Sequence, residues 1–526
     1  MHVPLLLTDF LDRAVELYGE KLAIIDDRRV LTYNQLNKRV NQLSRGLVDL
    51  GIEKGDKVAY LAPNTSEMLE GFYGVFQVGA VMTALNTRLK PADYQFILSH
   101  SESKVLFVDE DLYELVKPVL SALPNLKKVI VHGQGKDGHV GYEEWRGAYS
   151  SEPFERTPLE ETDIASLLYT SGTTGNPKGV LLSHRSNYLH AMSTMHHLRV
   201  SDSDTLLHVL PMFHVNGWGS PFYYTANGAT QVMLHKVDPK IILEKVKKHG
   251  VSVVHMAPTV LNMVLEEYER EKPVINQDVR VVIAGSSPPP AFVRKVEEDL
   301  GWEFVQVYGM TETSPLITTS VIRTEQENRS PEEKYRLKAK TGYAMIGSKV
   351  KVVDELGEEI AHDGKAIGEI VTRSNTVMEG YYKNPEATNH TIQGGWLHTG
   401  DMATVDEDGY IEIVDRMKDV IISGGENISS IEVEGVLYEH PAVLEAAVIA
   451  ILHEKWGEVP HAVVVVREGY SLTEQELVEF AREKLAHFKA PKAITFAEEL
   501  PKTASGKIQK VVIRKDYWKD HDRMVH

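Results

Sequence analysis

The feature that most constrains the fold is a recurring alternation between short apolar runs and segments with helical periodicity. The runs KVAYLA, KVLFVD and KVIVH are separated in this way within residues 57–132. Such runs are typical of buried strands in a parallel sheet whose faces are covered by helices. The pattern returns at VSVVHMA, RVVIAG and FVQVYG. We therefore expect an α/β fold in which residues 1 to about 415 form a large body in several layers.

One segment shows the helical pattern with particular clarity. Within 33–50, leucine and valine residues recur at spacings of three and four, and Gly51 follows directly. This spacing predicts one buried face of a helix that ends before the glycine.

The sequence pattern changes twice in the last third of the chain. A charged stretch over 321–342 predicts a surface loop or short helix. The β-like runs KVKVVDELG, GEIVT and YIEIVD follow, with Asp408-Gly409 as a hairpin signal, and predict a small β-rich subdomain. Beyond it, Ser429 and Thr473 each precede a glutamate by three residues, the spacing of a helix capping box. We expect an N-terminal domain over 1–417 and a small, mobile α+β domain over 418–526.

Charge and composition exclude several classes of function. Asp and Glu number 75 against 57 Lys and Arg, and the net charge of −18 argues against a nucleic-acid partner. The chain has no cysteine, so any thiol in its chemistry must come from a substrate. No apolar run approaches the roughly 18 residues of a membrane span, and the N-terminus lacks a basic start. We expect no integral membrane segment and a cytoplasmic location, with peripheral membrane contact left open.

The tract from Tyr169 to Val180, YTSGTTGNPKGV, is rich in glycine and hydroxyl side chains and contains Lys178. Such a loop can wrap a phosphate chain with backbone N–H groups, hydroxyl donors and one ammonium group. On composition alone, a flexible surface turn is the alternative. The tract is not a Walker A loop, because Asn176-Pro177-Lys178-Gly179 replaces the required Gly-Lys-Ser/Thr. An ordinary P-loop ATPase is therefore not expected.

Six further motifs follow the tract in a fixed order. They are PMFHVNGW (211–218), AGSSPPP (284–290), YGMTET (308–313), HTGD (398–401), DRMKDVIISGGENIS (415–429) and PKTASGKIQK (501–510). With the tract, they resemble the adenylate-forming superfamily of acyl-CoA synthetases, peptide-synthetase adenylation domains and luciferases. The resemblance implies an enzyme that uses ATP to convert a carboxylate into its acyl-AMP.

The resemblance also implies an ATP site with a bound Mg²⁺. Its expected residues are Thr170, Ser171, Gly172, Thr173, Thr174, Gly175, Lys178, Gly285, Ser286, Gln306, Val307, Tyr308, Gly309, Thr311, Asp401, Arg416, Lys418 and Asn427. Tyr308 is expected beside adenine, and Asp401 is expected to accept hydrogen bonds from both ribose hydroxyls. Glu312 and Thr170 are the implied ligands of Mg²⁺, a hard cation that prefers oxygen.

The catalytic residues implied by the resemblance are Lys507, His214, Thr311 and Glu312. Lys507 matches a lysine that bridges the attacking carboxylate and the α-phosphate, where displacement of pyrophosphate builds negative charge. Lys418 matches a hinge about which the C-terminal domain rotates between the two half-reactions.

After this rotation, the turn formed by Gly424, Gly425 and Glu426 is expected to replace Lys507 in the site and to bind CoA. Without side chains, the two glycines would let the pantetheine arm pass close to the backbone.

The acyl group is implied to contact His214, Val215 and Trp218. Trp218 resembles the gate tryptophan of bacterial fatty-acyl-CoA synthetases, and RLKAKTG, EGYYKNPEAT and SGGENISS extend that resemblance. The expected substrates are therefore a medium- to long-chain fatty acid, ATP and CoA. Ile422 and Asn427 depart from this pattern, because some long-chain enzymes carry lysine and tryptophan there.

Several alternatives stay open. An aryl- or short-chain acyl-CoA ligase uses the same machinery with a shorter pocket. A carrier-protein-loading adenylation enzyme, a luciferase-like oxygenase and a nucleotide-sensing binding protein share the same motifs. A homodimer is also left open.

Overall fold

Two large sheets carry most of the N-terminal part of the chain. The computed structural model describes residues 1–170, 177–285, 288–424, 426–502 and 508–518. Up to residue 147, the elements in chain order are α1 (Thr8–Tyr18), β1 (Leu22–Ile25), β2 (Val30–Thr32), α2 (Tyr33–Asp49), β3 (Lys57–Leu61), α3 (Ser66–Gln77), β4 (Val81–Ala84), α4 (Pro91–Ser101), β5 (Val105–Asp109), α5 (Tyr113–Val116), β6 (Lys128–His132), β7 (Val140–Gly141) and α6 (Tyr142–Gly147).

The middle of the chain continues the alternation. Its elements are β8 (Ile164–Thr170), β9 (Lys178–Ser183), α7 (His184–His197), β10 (Thr205–His208), α8 (Val215–Trp218), α9 (Ser220–Ala226), β11 (Thr230–Met233), α10 (Pro239–His249), β12 (Val253–Met256), α11 (Pro258–Glu271), β13 (Arg280–Ile283), α12 (Pro290–Asp299), β14 (Glu303–Gly309), β15 (Leu316–Thr319), α13 (Pro331–Ala339) and β16 (Tyr343–Ala344). Short 3₁₀ helices cover Lys117–Ala122, Thr311–Thr313 and Thr324–Gln326.

The remaining elements are mainly strands. They are β17 (Ser348–Val353), β18 (Gly368–Ser374), β19 (Gly380–Tyr381), α14 (Pro385–Thr391), β20 (Ile392–Gln393), β21 (Trp396–Val405), β22 (Ile411–Arg416), β23 (Ile421–Ser423), β24 (Glu426–Ile428), α15 (Ser430–Tyr438), β25 (Val443–His453), β26 (Gly457–Val466), α16 (Glu474–Lys484), β27 (Ala493–Phe496) and α17 (Lys510–Tyr517).

The first large sheet has the strand order β16-β15-β14-β13-β12-β10-β11-β1-β2, and the second has the order β19-β9-β8-β4-β3-β5-β6-β7. The inner strands of both sheets are parallel, whereas β2, β9, β15, β16 and β19 join antiparallel at the ends. In parallel α/β sheets, ligands bind beyond the carboxyl ends of the strands. The ends of β8, β13 and β14 carry three of the sequence motifs, so the sheets place these motifs where a ligand is expected.

Helix α3 lies in the largest apolar core, which takes side chains from both large sheets. All 12 residues of the helix are buried, as is typical of a helix covered on every side. The two sheets are therefore joined by one continuous core.

Helix α2 confirms the prediction of a helix over 33–50. It begins with a capping box in which the Thr32 hydroxyl accepts from the Gln35 N–H and the Gln35 side chain accepts from the Thr32 N–H. The strands predicted from the apolar runs between 57 and 309 are also present, as β3, β5, β6, β12, β13 and β14.

The predicted β-rich subdomain is an antiparallel sheet of order β17-β18-β21-β20, in which β22 also pairs with β21. Asp408-Gly409 lies in the turn between β21 and β22, where the Gly409 N–H donates to the Asp406 carbonyl at 2.9 Å. The charged stretch before the subdomain contains helix α13, which confirms the short helix expected there.

The C-terminal part forms its own mixed sheet, of order β24-β23-β26-β25 with β27 on β26. The Ser429 hydroxyl accepts from the Glu432 N–H at the start of α15, and Thr473 and Glu476 form a full capping box at α16. The helix starts expected from the sequence are thus confirmed. Among the described helices, none is both long and apolar enough to cross a membrane.

Candidate active site

The glycine-rich tract connects the antiparallel strands β8 and β9. Thr170 is paired with Lys178, and Tyr169 is paired with Gly179. The two ends of the tract are therefore held side by side. Ser171, Gly172, Thr173, Thr174 and Gly175 lie outside the described residues.

Glu312 lies in the short 3₁₀ helix that follows β14, and it is almost completely buried. The Tyr381 hydroxyl donates to its Oε1 at 2.8 Å, and the Met378 N–H donates to its main-chain carbonyl at 2.8 Å. Burial raises the pKa of Glu312, and the hydrogen bond from Tyr381 opposes this increase. Tyr381 is thus the first of several groups that stabilise this buried carboxylate as an anion, ahead of the charges of Arg416 and Lys178.

Tyr381 also brings Lys178 towards Glu312. The Lys178 Nζ lies 5.0 Å from the centroid of the Tyr381 ring, within the range of a cation–π interaction. Strand β19 pairs with β9 so that Tyr381 lies opposite Val180. The sequence motif EGYYKNPEAT contains this tyrosine, but the motif alone gave it no role.

The residues around Glu312 fit a magnesium ion. Mg²⁺ usually binds through one or two carboxylates together with phosphate oxygens, rather than in a cage made only of protein. Across the described ranges, no group of three or more His, Asp or Glu side chains could hold a metal by itself. Glu312 keeps a carboxylate oxygen beyond the one that Tyr381 contacts, and Thr170 is half-exposed at the end of β8.

Asp401 and Arg416 lie opposite each other on the antiparallel strands β21 and β22. The Arg416 Nε lies 3.2 Å from Asp401 Oδ1, and the Tyr308 hydroxyl donates to Asp401 Oδ2 at 2.7 Å. Burial, followed by the Asp401 charge, raises the pKa of Tyr308 well above its usual value, so the phenol stays protonated and donates. A carboxylate has about four acceptor positions. Asp401 therefore retains capacity for further donors, such as a pair of ribose hydroxyls.

Strand β14 carries the other residues expected near the nucleotide. Gln306 and Val307 are buried, and Gly309 closes the strand beside the chain segment around Pro315. A Cβ atom at Gly309 would lie 1.8 Å from the Pro315 carbonyl oxygen, so only glycine fits there. Gly285 follows β13 with φ +105°, and Ser286 lies outside the described residues.

Element α8, which carries Val215 and Trp218 directly after His214, is a single left-handed helical turn rather than a right-handed α-helix. Five consecutive residues have positive φ, from +48° at Val215 to +73° at Gly219. Non-glycine residues in this conformation cost about 1–2 kcal/mol each. A turn of this kind persists only where its surroundings fix it.

Side-chain amides on both sides fix the turn. The Asn216 Nδ2 donates to Ser166 Oγ at 3.1 Å and to Asn187 Oδ1 at 3.3 Å. The Asn64 Oδ1 accepts from the Met212 N–H at 2.7 Å. Because Ser166 belongs to β8, the strand that ends at Thr170 also anchors the turn. Asn64 and Asn187 carried no signal in the sequence, since amide partners distant in the chain depend on the tertiary fold.

Trp218 points into the core behind this turn. Its ring stacks on the buried His255 with 6.0 Å between the ring centroids and 24° between the planes. Phe222, Tyr223 and Tyr224 of α9 are completely buried in the same region. The predicted acyl segment is therefore backed by bulky aromatic side chains. His214 at the start of the turn is half-exposed.

The chain leaves Arg416 through a tight turn at the predicted hinge. The Asp419 N–H donates to the Arg416 carbonyl at 2.8 Å, and the Arg514 guanidinium contacts the Asp419 carboxylate. Lys418 is half-buried, and burial, followed by the charge of Arg416, lowers its pKa.

Gly424 lies in the hairpin turn between β23 and β24, whose residues Ser423 and Glu426 are paired. Strand β24 lies between this turn and helix α15. A Cβ atom at Gly424, where φ is +61°, would lie 2.8 Å from Cε3 of Trp456. The missing side chain therefore makes room for this indole ring. Gly425, Lys507 and the side chain of Asn427 lie outside the described part of the chain.

Comparisons with known proteins agree with this geometry. The family model of AMP-binding enzymes matches residues 11–382, and the model of their C-terminal domain matches residues 432–507. The chain belongs to the AMP-binding enzyme family. The large α/β body and the small C-terminal part are the architecture of adenylate-forming enzymes.

Relatives of this AMP-binding enzyme match over almost the whole chain. A 2-methylpropanoate–CoA ligase of Humulus lupulus is 38% identical over 97% of this chain and 95% of its own. The peroxisomal benzoate–CoA ligase of Arabidopsis thaliana is 37% identical over 98% of this chain and 93% of its own. The crystal structure of an anthranilate CoA ligase in complex with anthranoyl-AMP superposes with a TM-score of 0.90. It shares 28% identity, and 98% of each chain is covered.

Proposed function

We propose that this AMP-binding enzyme is an ATP-dependent acyl-CoA ligase for short-chain or aryl carboxylic acids. A carboxylate oxygen attacks the α-phosphorus of ATP, and the bond to pyrophosphate breaks. The sulfur of CoA then attacks the acyl carbon, the thiol proton is lost, and AMP leaves. The domain limits 1–417 and 418–526, a cytoplasmic location and a homodimer stay predictions.

The observation that carries this proposal is the clustering of separate motifs around two buried carboxylates. Glu312 with Tyr381 and Lys178 forms one cluster, and Asp401 with Tyr308 and Arg416 forms the other. The first suits the phosphates of ATP with Mg²⁺, because it combines a cation with a carboxylate. The second suits ribose hydroxyls beside an aromatic ring.

Each residue has a specific role in this proposal. Glu312 and Thr170 would hold Mg²⁺, which neutralises the charge of the phosphates when it is bound. Lys178, whose Nζ lies 5.0 Å from the centroid of the Tyr381 ring, would attract the same phosphates. Tyr381 is a positioning residue, since its hydroxyl holds the Glu312 carboxylate and its ring faces Lys178.

The other roles rest on the resemblance alone. Lys507 would stabilise the negative charge that develops during adenylation. The Gly424 turn would enter the site after rotation at Lys418, and the thiol would come from CoA because the chain has no cysteine.

The substrate class differs from the fatty acid that the resemblance led us to expect. The relatives named above act on 2-methylpropanoate and on benzoate, and the similar crystal structure contains anthranoyl-AMP. The aromatic packing behind the left-handed turn supports the same choice. Trp218 and the buried tyrosines of α9 fill the space behind the turn, and this packing favours a short or flat acid over a long acyl chain.

A panel of acids tests the reaction and the substrate class together. AMP release and CoA consumption are measured with acetate, butyrate, 2-methylpropanoate, benzoate, octanoate and oleate. We expect the highest kcat/KM among the short, branched and aryl acids. Highest kcat/KM with oleate would restore the fatty-acid assignment, and ATP binding without CoA consumption for any acid would favour a nucleotide-sensing protein.

A further inference from the structure

A polar groove of about 500 Å³ lies between the start of helix α7 and the strands β17 and β18. Its charged lining residues are Arg185, Lys349, Arg373 and Glu379. We call it the Lys349 groove. With three cations and one carboxylate, it carries a surplus of two positive charges in a chain whose net charge is −18.

Lys349 and Arg373 are directly opposite each other on the antiparallel strands β17 and β18. Cross-strand partners project from the same face of a sheet, and like charges at such positions repel each other. Neither side chain forms an ion pair or hydrogen bond within the described ranges. Their charges are therefore left to solvent or to a bound anion.

A neighbouring lysine on the same strand does have partners for its charge. Lys351, two residues further along β17, lies 3.4 Å from the Glu359 carboxylate and 5.6 Å from the centroid of the Trp396 ring. The absence of such a partner at Lys349 is thus a local property of the groove.

Arg185 on the opposite wall is also incompletely satisfied. Its Nη2 lies 3.7 Å from the Glu379 carboxylate, which is too long for a hydrogen bond. Its Nε is buried and has no hydrogen-bond partner among the described residues. Neither Nη atom of Arg185 donates a hydrogen bond within the described ranges, so these two groups, rather than the buried Nε, are the donors left for a ligand in the groove.

We propose that the Lys349 groove is a binding site for a phosphate-bearing anion. Two guanidinium groups and one ammonium match phosphate oxygens, and guanidinium groups bind such oxygens in a bidentate manner. The surplus of two positive charges fits a group with at least two negative charges. The volume exceeds that of a single phosphate, so we expect pyrophosphate or a phosphate ester to fill it better.

The groove is separate from the nucleotide site. The segment that contains Met378 and Glu379 forms one wall of the groove. None of the predicted nucleotide-site residues that the structure describes lines the groove, although the Met378 N–H donates to the Glu312 main-chain carbonyl. The inference therefore goes beyond the proposed ligase reaction, and it depends on none of its steps.

Titration calorimetry at low ionic strength tests the site in the full chain without acid or CoA. The background variant Lys178→Ala weakens phosphate binding at the proposed ATP site. Inorganic pyrophosphate is titrated into this background, alone and combined with Arg373→Gln or Lys349→Gln. Lys365→Gln is the matched control, because it removes the same charge from an exposed loop.

We expect either groove substitution to weaken pyrophosphate binding about tenfold or more, since each removes a charge-assisted contact. Lys365→Gln should leave the affinity unchanged. The groove substitutions should not lower Tm, because they remove one of two like charges.

Two further compounds, titrated in the same way, test which class of anion the groove binds. Adenosine 3′,5′-bisphosphate tests a phosphate ester against free pyrophosphate, and succinate tests a dicarboxylate. Binding of either phosphate compound that depends on Arg373, with weaker binding of succinate, supports the proposal. Equal pyrophosphate affinity in Arg373→Gln and Lys365→Gln, or equal binding of succinate, would overturn it.

Discussion

Replacing Tyr381 by phenylalanine should impair the ligase mainly through the ionisation of Glu312. The substitution removes the hydroxyl that donates to Glu312 Oε1 at 2.8 Å and keeps the ring beside Lys178. A hydrogen bond to a charged group contributes about 1.5–3 kcal/mol. If all of this free energy stabilises the ionised carboxylate, its loss should lower activity at neutral pH by a factor of about 10 to 150.

The same substitution should shift the pH dependence of activity in a defined direction. Burial raises the pKa of Glu312, and the Tyr381 hydrogen bond lowers it by favouring the anion. Removing the bond therefore raises the pKa further. Because Mg²⁺ binding requires the ionised carboxylate, the acidic limb of the activity profile should move to higher pH, and more Mg²⁺ should be required.

The assay is acid-dependent exchange of pyrophosphate into ATP, measured against pH and Mg²⁺ concentration. Tyr382→Phe is the matched control, because the Tyr382 hydroxyl lies near the exposed Glu102 carboxylate at 3.3 Å. An unchanged pH profile in Tyr381→Phe, with an unchanged Mg²⁺ requirement, would refute the role of this hydrogen bond.

Three further substitutions test other parts of the site. Lys507→Ala should abolish acid-dependent pyrophosphate exchange and preserve ATP binding by calorimetry, and normal exchange would contradict its catalytic role. Trp218→Ala removes a buried ring behind the acyl segment. It should therefore raise kcat/KM for octanoate relative to kcat/KM for butyrate. An unchanged ratio would show that Trp218 does not limit chain length. Gly309→Ala should lower Tm and weaken ATP binding, since its Cβ atom would overlap the Pro315 carbonyl. Gly435→Ala, with no atom within 4 Å of the added Cβ, is the control that should keep Tm.

The sequence alone indicated the fold class and the positions of several helices and strands. Apolar runs and capping residues act over a few neighbouring positions, so β3, α2 and the caps at Ser429 and Thr473 could be predicted. The ordered motifs also indicated the family and the nucleotide residues. They did not determine the acyl group, because the depth of a pocket depends on side chains from several elements.

The tertiary structure decided which side chains meet. Tyr381 reaches Glu312 only because β19 joins β9, and Arg416 meets Asp401 only because β21 and β22 are paired in that register. The left-handed turn at Val215 contradicts local preference and depends on distant amides from Asn64 and Asn187. The sequence encodes such contacts through the whole fold, since hydrogen bonds and charges act through space between residues far apart in the chain.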